Sequence, residues 1–253
     1  MRFASLGSGS RGNALLVEAG RTRILLDCGL SGRETEFRLV RLGVEAAQIN
    51  AILVTHEHDD HVGGVARLAA RHGLPVWLTH GTLRATPALA GADVRVFDPH
   101  ARFAVGDLEM EPFPVPHDAA EPAQYVFGDG ARRLGVLTDI GEPTPHVAAT
   151  LSGCDALVLE CNHDAEMLAR GPYAPPLKRR IAGRLGHLEN GQAAQLLSCL
   201  DHSRLRHVIA AHLSETNNTP DLARAALAGA LGCSPDWIGV AGQDSGFGWR
   251  EIG

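Results

Sequence analysis

Ala51-Ile52-Leu53-Val54-Thr55-His56-Glu57-His58-Asp59-Asp60-His61 is the stretch from which the rest of the chain can be read. Its first four residues are aliphatic and uncharged, the pattern of a strand buried on both faces. The segment Val65 to Arg71 after it has helical character, and Gly73 and Pro75 close it. His56, His58, Asp60 and His61 therefore sit where a strand hands over to a helix, a usual place for sites in α/β proteins. Imidazole and carboxylate donors suit Zn, Mn or Fe better than Ca or Mg. These donors exceed what one open catalytic ion needs and match two ions sharing a bridging group. A polar loop with chance histidines is the plainer reading. Three His and an Asp within six positions, directly after a buried strand, set it aside.

The chain has 253 residues, of which 45% are hydrophobic and 21% charged, an ordinary globular balance. That length suits one large domain or two small ones. No apolar run reaches the ~20 residues of a membrane span. Met1 to Gly7 lacks a signal-peptide apolar core, so a cytoplasmic protein is expected. Cys28, Cys154, Cys161, Cys199 and Cys233 are scattered and odd in number, as expected of buried free thiols in a reducing compartment. Nothing places a base beside Cys161, so it is not read as a nucleophile. The net charge of −6 argues against a generic nucleic-acid coat but allows a local basic patch. One such island, Lys178, Arg179, Arg180 and Arg184, lies in the acid-free stretch between Arg170 and His187. It reads either as a phosphate track or as a solvated helix face.

Strands are expected at Arg2–Leu6, Ala14–Glu18, Arg23–Asp27, Pro75–Leu78, Val94–Phe97, Arg133–Thr138, Ala156–Leu159 and Val208–Ala211. Leu108–Val115 is broken by prolines, which suggests an edge strand. Helices are expected at Ser31–Leu42, with Phe37, Leu39, Val40 and Leu42 as its apolar positions, and at Thr82–Ala90 despite Pro87. Further helices are expected at Gly191–Leu200 and Leu222–Leu231, with closing strands at Trp237–Val240 and Phe247–Glu251. Strand and helix alternate, which implies an α/β layout. The loop Gly7-Ser8-Gly9-Ser10-Arg11-Gly12-Asn13 reads as a flexible turn or as a backbone nest for phosphate. His72, His80 and His100 read as surface or capping residues.

The His-x-His-x-Asp-His segment resembles the signature of the metallo-β-lactamase superfamily, and the resemblance runs along nearly the whole chain. It implies a four-layered αβ/βα sandwich, one domain over 1–253 made of two pseudo-equivalent halves, with metals at one edge. Carried over residue by residue, it implies that His56, His58 and His117 hold one ion. Asp60, His61 and His212 hold the other, and Asp139 bridges them, with Asp27 orienting a histidine. The order Glu160, Gly186-His187, His212-Leu213-Ser214 is similar to the transfer-RNA 3′-processing endonucleases. That similarity implies that Glu160 orients His187 and that His187 is the general acid.

Five phrases together resemble one subfamily, WalJ/YycJ. They are Leu6-Gly7-Ser8-Gly9-Ser10-x-Gly12-Asn13, Thr55-His56-Glu57-His58-x-Asp60-His61, Glu160-x-Asn162-His163-Asp164, Gly186-His187-Leu188-x-Asn190 and His212-Leu213-Ser214-x-x-Asn217-Asn218. This implies a two-metal 5′-to-3′ exonuclease on double-stranded DNA, with Asp60, Glu160 and His187 catalytic and a metal-bridging hydroxide as nucleophile. Two divalent ions (Zn, Mn or Fe) are its cofactors, nucleic acid its partner, and no membrane is involved. Ser214, Asn217 and Asn218 are candidate donors to a phosphate. The alternative is a thioester, lactone or β-lactam hydrolase on the same ions, for which the Glu160/His187 pair is unneeded. A diiron redox protein would carry Glu at His58, and a non-catalytic scaffold need not keep all seven ligands.

Overall fold

A computed structural model describes residues 1–253. The first part of the chain forms β1 (Arg2–Gly7), β2 (Ala14–Ala19), β3 (Thr22–Leu26), β4 (Ala51–Leu53), β5 (Val76–Leu78) and β6 (Val94–Val96). Among them run α1 (Gly32–Arg41), α2 (Asp59–Val62), α3 (Val65–His72) and α4 (His80–Ala85). The second part forms β7 (Phe103–Val105), β8 (Leu108–Pro114), β9 (Ala123–Gly128), β10 (Arg133–Leu137), β11 (Ala156–Glu160), β12 (His207–Ala211) and β13 (Gly239–Val240). Its helices are α5 (Pro145–Leu151), α6 (Ala165–Arg170), α7 (Pro175–Ile181), α8 (Asn190–Cys199) and α9 (Pro220–Leu231). The last strand, β14 (Phe247–Glu251), returns to pair with β1.

Two seven-stranded sheets result, in the orders β14-β1-β2-β3-β4-β5-β6 and β13-β12-β11-β10-β9-β8-β7. Read from β14, the first sheet has three antiparallel pairings and then three parallel ones. Read from β7, the second repeats that pattern. Each sheet therefore changes direction at one strand, β3 in the first and β10 in the second.

Side-chain alternation along the strands builds the layers. Val17, Ile24, Val136, Val158 and Ile209 point into a cluster of 22 buried residues shared by both sheets. Their neighbours Leu16 and Leu25 join a second cluster of 19 residues with Leu39 of α1 and Leu68 of α3. Leu137, Leu157 and Val208 join a third of 22 with Leu196 and Leu197 of α8 and Leu227 of α9. Three apolar seams separate four layers, helix–sheet–sheet–helix. Strands buried on both faces explain the unbroken apolar runs. No helix is long and apolar enough to cross a membrane.

Several local expectations change. α1 starts at the Ser31 cap, whose side chain accepts from Glu34 N, but Phe37 and Val40 are 61% and 65% exposed and only Leu39 of the four named apolar positions is buried. Pro87 ends α4 early and opens a separate 3₁₀ turn, because proline lacks the N–H that a continuing helix needs. β8 is flanked on both sides, not at the edge. Its partner β7 reaches only Leu108–Met110, so Pro112 and Pro114 lie where one side stays open. Trp237 belongs to a 3₁₀ turn rather than a strand. Cys28, Cys154 and Cys161 are buried free thiols, whereas Cys199 is exposed and Cys233 half-buried.

Candidate active site

The site lies at the carboxyl ends of β3, β4, β8, β10, β11 and β12, outside the point where the sheets change direction. Three non-glycine residues in the chain have positive φ: Asp27 at 59°, Asp139 at 53° and His212 at 54°. Asp27 and His212 directly follow β3 and β12, and Asp139 lies two residues past the end of β10. Such backbone costs about 1–3 kcal/mol per residue, so the surrounding contacts must hold it.

Two groups of donors converge. In the first, His56 Nε2 is 3.0 Å from His58 Nδ1, which is 3.3 Å from His117 Nε2. The outer nitrogens are engaged: His117 Nδ1 faces the Gly186 carbonyl at 3.0 Å and His56 Nδ1 faces Thr55 Oγ1 at 3.0 Å. Burial pushes the His56 ring well below its usual pKa and lowers His117, so both rings present lone pairs. In the second group, Asp60 Oδ2 is 3.4 Å from His212 Nε2 and 3.6 Å from His61 Nε2. Asp139 stands between the groups, its Oδ2 3.1 Å from His61 Nε2 and its Oδ1 3.9 Å from His117 Nε2.

These residues fit divalent cations. Asp139 Oδ2 is buried and has no hydrogen-bond partner. His56 and His117, each with its Nδ1 engaged, turn Nε2 toward His58 Nδ1, which sets three ring nitrogens around one point that a cation could occupy. The nitrogen and carboxylate donors, with ligand atoms grouped within 4.8 Å of one another, are of the kind that zinc, manganese and iron accept. In the acidic half, burial opposes charge on His61, but Asp139 and Asp27 outweigh it and raise the ring well above its usual value. That half attracts positive charge of any kind.

Two features behind the donors hold them. Asp27 takes His61 Nδ1 at 2.8 Å and accepts the Thr55 N–H at 2.8 Å, which aims His61 Nε2 at the cluster. The backbone N–H groups of the Gly7–Asn13 loop that a phosphate nest would need are spent within the fold, Ser8 N on Gly242 O, Gly9 N on Asn13 Oδ1, Arg11 N on Gln243 Oε1 and Gly12 N on Gly9 O. Ser8 Oγ accepts the His212 N–H at 2.9 Å, and the Asn13 amide donates to Asp60 O at 3.2 Å and Asp60 Oδ2 at 3.3 Å. Behind it, a Cβ at Gly29 would overlap the Asp60 carbonyl, so only glycine lets the two loops close.

Beside the cluster, His187 Nδ1 is 2.8 Å from Glu160 Oε1. Glu160 is fully buried, and its Oε2 accepts from Ile140 N at 2.9 Å and Leu188 N at 3.3 Å. Burial alone would raise this carboxyl, but His187 and its other partners bring it down to about 2. Burial opposes the charged His187 ring, and the Glu160 carboxylate outweighs it, so the imidazole is raised. Glu160 Oε1 also lies 3.4 Å from His212 Nδ1, so one carboxylate steadies both rings.

All seven expected ligands, together with Glu160 and His187, meet in this one place. Asn217 and Asn218 do not face it. Both are buried, and the Asn218 amide is spent on Cys161 O at 2.7 Å and Asn190 Oδ1 at 2.9 Å, closing the joint behind the site. Two of the four residues of the basic island are paired with acids, Arg180 Nε with Asp118 Oδ2 at 2.7 Å and Arg184 Nε with Glu142 at 2.8 Å. Cys161 is fully buried and its thiol is pushed up by that burial. Sequence reasoning missed Ser8, Asn13 and Asp118, whose partners lie 204, 47 and 62 residues away. It also missed the wall made by α7. The only signal for that wall was Leu177 and Ile181, four apart behind Pro175.

Convergent imidazoles and carboxylates at one edge of an αβ/βα sandwich define a metal-dependent hydrolase. Residues 22–212 match a family model described as a beta-lactamase superfamily domain. The chain is 37% identical over 263 residues, covering 99% of it and 92% of the relative, to Exodeoxyribonuclease YycJ of Bacillus anthracis. It is 32% identical over 245 residues, covering 94% and 91%, to Exodeoxyribonuclease WalJ of Streptococcus pneumoniae. The metallo-beta-lactamase fold protein YhfI from Bacillus subtilis superposes with a TM-score of 0.77 over 99% of each chain at 16% identity, which shows the shared fold. The chain belongs to the metallo-β-lactamase-fold superfamily, and within it to the WalJ/YycJ family.

Proposed function

We propose that the chain is a two-metal phosphodiesterase that removes nucleotides from the 5′ end of double-stranded DNA. The observation that carries this reading is the His187–Glu160 contact of 2.8 Å at the rim of the ligand cluster. A departing sugar oxygen needs a proton, and this pair supplies one; a thiolate leaving in thioester hydrolysis departs without it. The relatives named exodeoxyribonucleases support the DNA substrate. Duplex preference and 5′ polarity rest on the family resemblance.

His56, His58 and His117 would hold one ion, and Asp60, His61 and His212 the other, with Asp139 shared. Zinc, manganese or iron at these places would supply Lewis acidity, making water acidic enough to react near neutral pH and neutralising phosphoryl charge. The chain's own part is positional. Asp27 and Gly186 O fix the ring tautomers of His61 and His117. Glu160 keeps His187 charged with its Nε2 free, so that Nε2–H protonates the sugar oxygen as the P–O bond breaks. Asp60, with its side chain 22% exposed, is the more open of the two cluster carboxylates that line the cleft, Asp139 being 2% exposed. We take residues 1–253 as one domain, a reading supported by the seam that both sheets share. Five unpaired cysteines support a cytoplasmic setting.

The test is turnover of an end-labelled, 5′-phosphorylated DNA duplex by metal-loaded protein, beside matched single-stranded DNA and RNA. Shortening from the 5′ end that stops with a chelator and in Asp60→Ala supports the reading. Hydrolysis of a thioester or lactone with no cleavage of any phosphodiester would replace it with the small-ester reading.

A further inference from the structure

The site opens into a cleft of about 390 Å³, the scale of one small ligand. Its walls differ in chemistry. His58, Asp60, Asp139, His187 and His212 make one. The hydrophobic residues that line it are Tyr173, Leu177 and Ile181, all from the single segment between β11 and α8. Leu177 and Ile181 are one turn apart on α7, and Arg180 lies on the same side.

This apolar wall is not part of any core. None of the seven side chains of α7 is buried, and Leu177 is 39% exposed. Polar contacts hold the helix in place instead. Lys178 Nζ donates to Ala169 O at 2.7 Å, and Arg180 Nε to Asp118 Oδ2 at 2.7 Å. The Ile181 carbonyl accepts the His187 N–H at 2.8 Å. Just beyond, the Gly186 carbonyl accepts from His117 Nδ1, so the wall and the ligand cluster are fixed to each other. The chain has two tyrosines. Tyr125 is fully buried with its hydroxyl bonded to Val54 O, whereas Tyr173 is half-buried at the cleft.

We infer that Tyr173, Leu177 and Ile181 form the subsite for the nucleobase of the nucleotide being cleaved. This inference rests on the phosphodiesterase reading and extends it. A phosphate drawn to the His/Asp wall leaves its attached sugar and base to cross the cleft. The apolar groups that line the same cleft are one aromatic ring and two aliphatic side chains. Stacking on such a surface accepts every base, because every base has a π-face. That suits an enzyme that removes nucleotides without regard to sequence.

The test compares 5′-phosphorylated duplexes whose terminal nucleotide is either thymidine or an abasic tetrahydrofuran, with the base-free diester methyl 4-nitrophenyl phosphate alongside. The metal-loaded full chain, Tyr173→Ala and Tyr173→Phe are each measured. The reading is the ratio of kcat/KM on the base-bearing and abasic ends within each protein. We expect a ratio on the order of ten in the parent chain, kept in Tyr173→Phe and falling toward one in Tyr173→Ala. A parent ratio of one, or a ratio that survives in Tyr173→Ala, overturns the subsite while hydrolysis of the base-free diester leaves the phosphodiesterase reading standing. No hydrolysis of any of the three diesters overturns both.

Discussion

Asp27 and Asp139 approach the same imidazole from opposite sides, Asp27 as its hydrogen-bond partner and Asp139 at ion-pair distance. Asp27 Oδ2 is 2.8 Å from His61 Nδ1, and Asp139 Oδ2 is 3.1 Å from His61 Nε2. They occupy equivalent places in the two sheets. Each follows the strand at which antiparallel pairing gives way to parallel, and each has positive φ, 59° and 53°. One repeated backbone turn thus serves two purposes. In the first sheet it orients His61, and in the second it presents a carboxylate to the same cluster.

Replacing Asp27 should therefore weaken metal binding without touching a ligand. We expect Asp27→Ala to lower ion affinity about tenfold to a hundredfold, the usual cost of losing such a support. Asp27→Asn should lose less, because asparagine tolerates positive φ and its Oδ1 still accepts from His61 Nδ1–H. Isothermal titration of metal-free protein with zinc measures both. Equal affinity in all three proteins would mean that His61 is held by packing alone.

His187→Ala should slow DNA cleavage by about a hundredfold to ten-thousandfold, the range of a lost general acid. The loss should shrink on a 4-nitrophenyl phosphodiester, whose leaving oxygen departs without a proton. Comparing kcat on the two substrates decides it. A uniform loss on both would assign His187 to positioning rather than proton transfer.

Asn13→Ala removes the amide that faces Asp60, and Ser8→Ala removes the acceptor of the His212 N–H. Both should weaken the Asp60/His61/His212 half by about tenfold and spare the three-histidine half. Bound ion per chain, measured by mass spectrometry after dialysis against limiting metal, should fall from two toward one. Retention of two ions in both variants would show that the Gly-Ser loop is passive.

The thiols should differ in reactivity. The thiolate is the reactive form, and burial pushes Cys28 and Cys154 up to about 11. At pH 9 as at pH 7, native protein should leave Cys28 and Cys154 unmodified, while Cys199 is exposed to the reagent. Peptide mass spectrometry after iodoacetamide treatment reports each site. Early modification of Cys154 would mean that the α5 layer opens readily.

Much of the site was legible because its chemistry is local. Ala51 to His61 holds a strand, a turn and four donors in consecutive residues, and strand-then-acid or strand-then-histidine endings marked Asp139, Glu160 and His212. Element boundaries were legible where caps are local, as at Ser31 and Gly73. They were not where neighbours decide. Pro112 and Pro114 suggested an edge, yet β7 stops short of them. Phe37 and Val40 suggested a buried face, yet only Leu39 turns inward.

By itself, then, the sequence marked most of the strands, though not β7 or β9, and the cluster His56, His58, Asp60 and His61, since apolar periodicity and donor type are properties of neighbouring residues; His117, Asp139 and His212 were added as ligands by the family resemblance. Tertiary structure alone decided what surrounds them. It made the Gly7–Asn13 loop a brace, turned Asn217 and Asn218 inward, and spent Arg180 and Arg184 on Asp118 and Glu142. It also set Tyr173 opposite the ligand cluster. Each of these is a pairing between distant residues, and only the closing of two sheets over one edge brings such partners within reach.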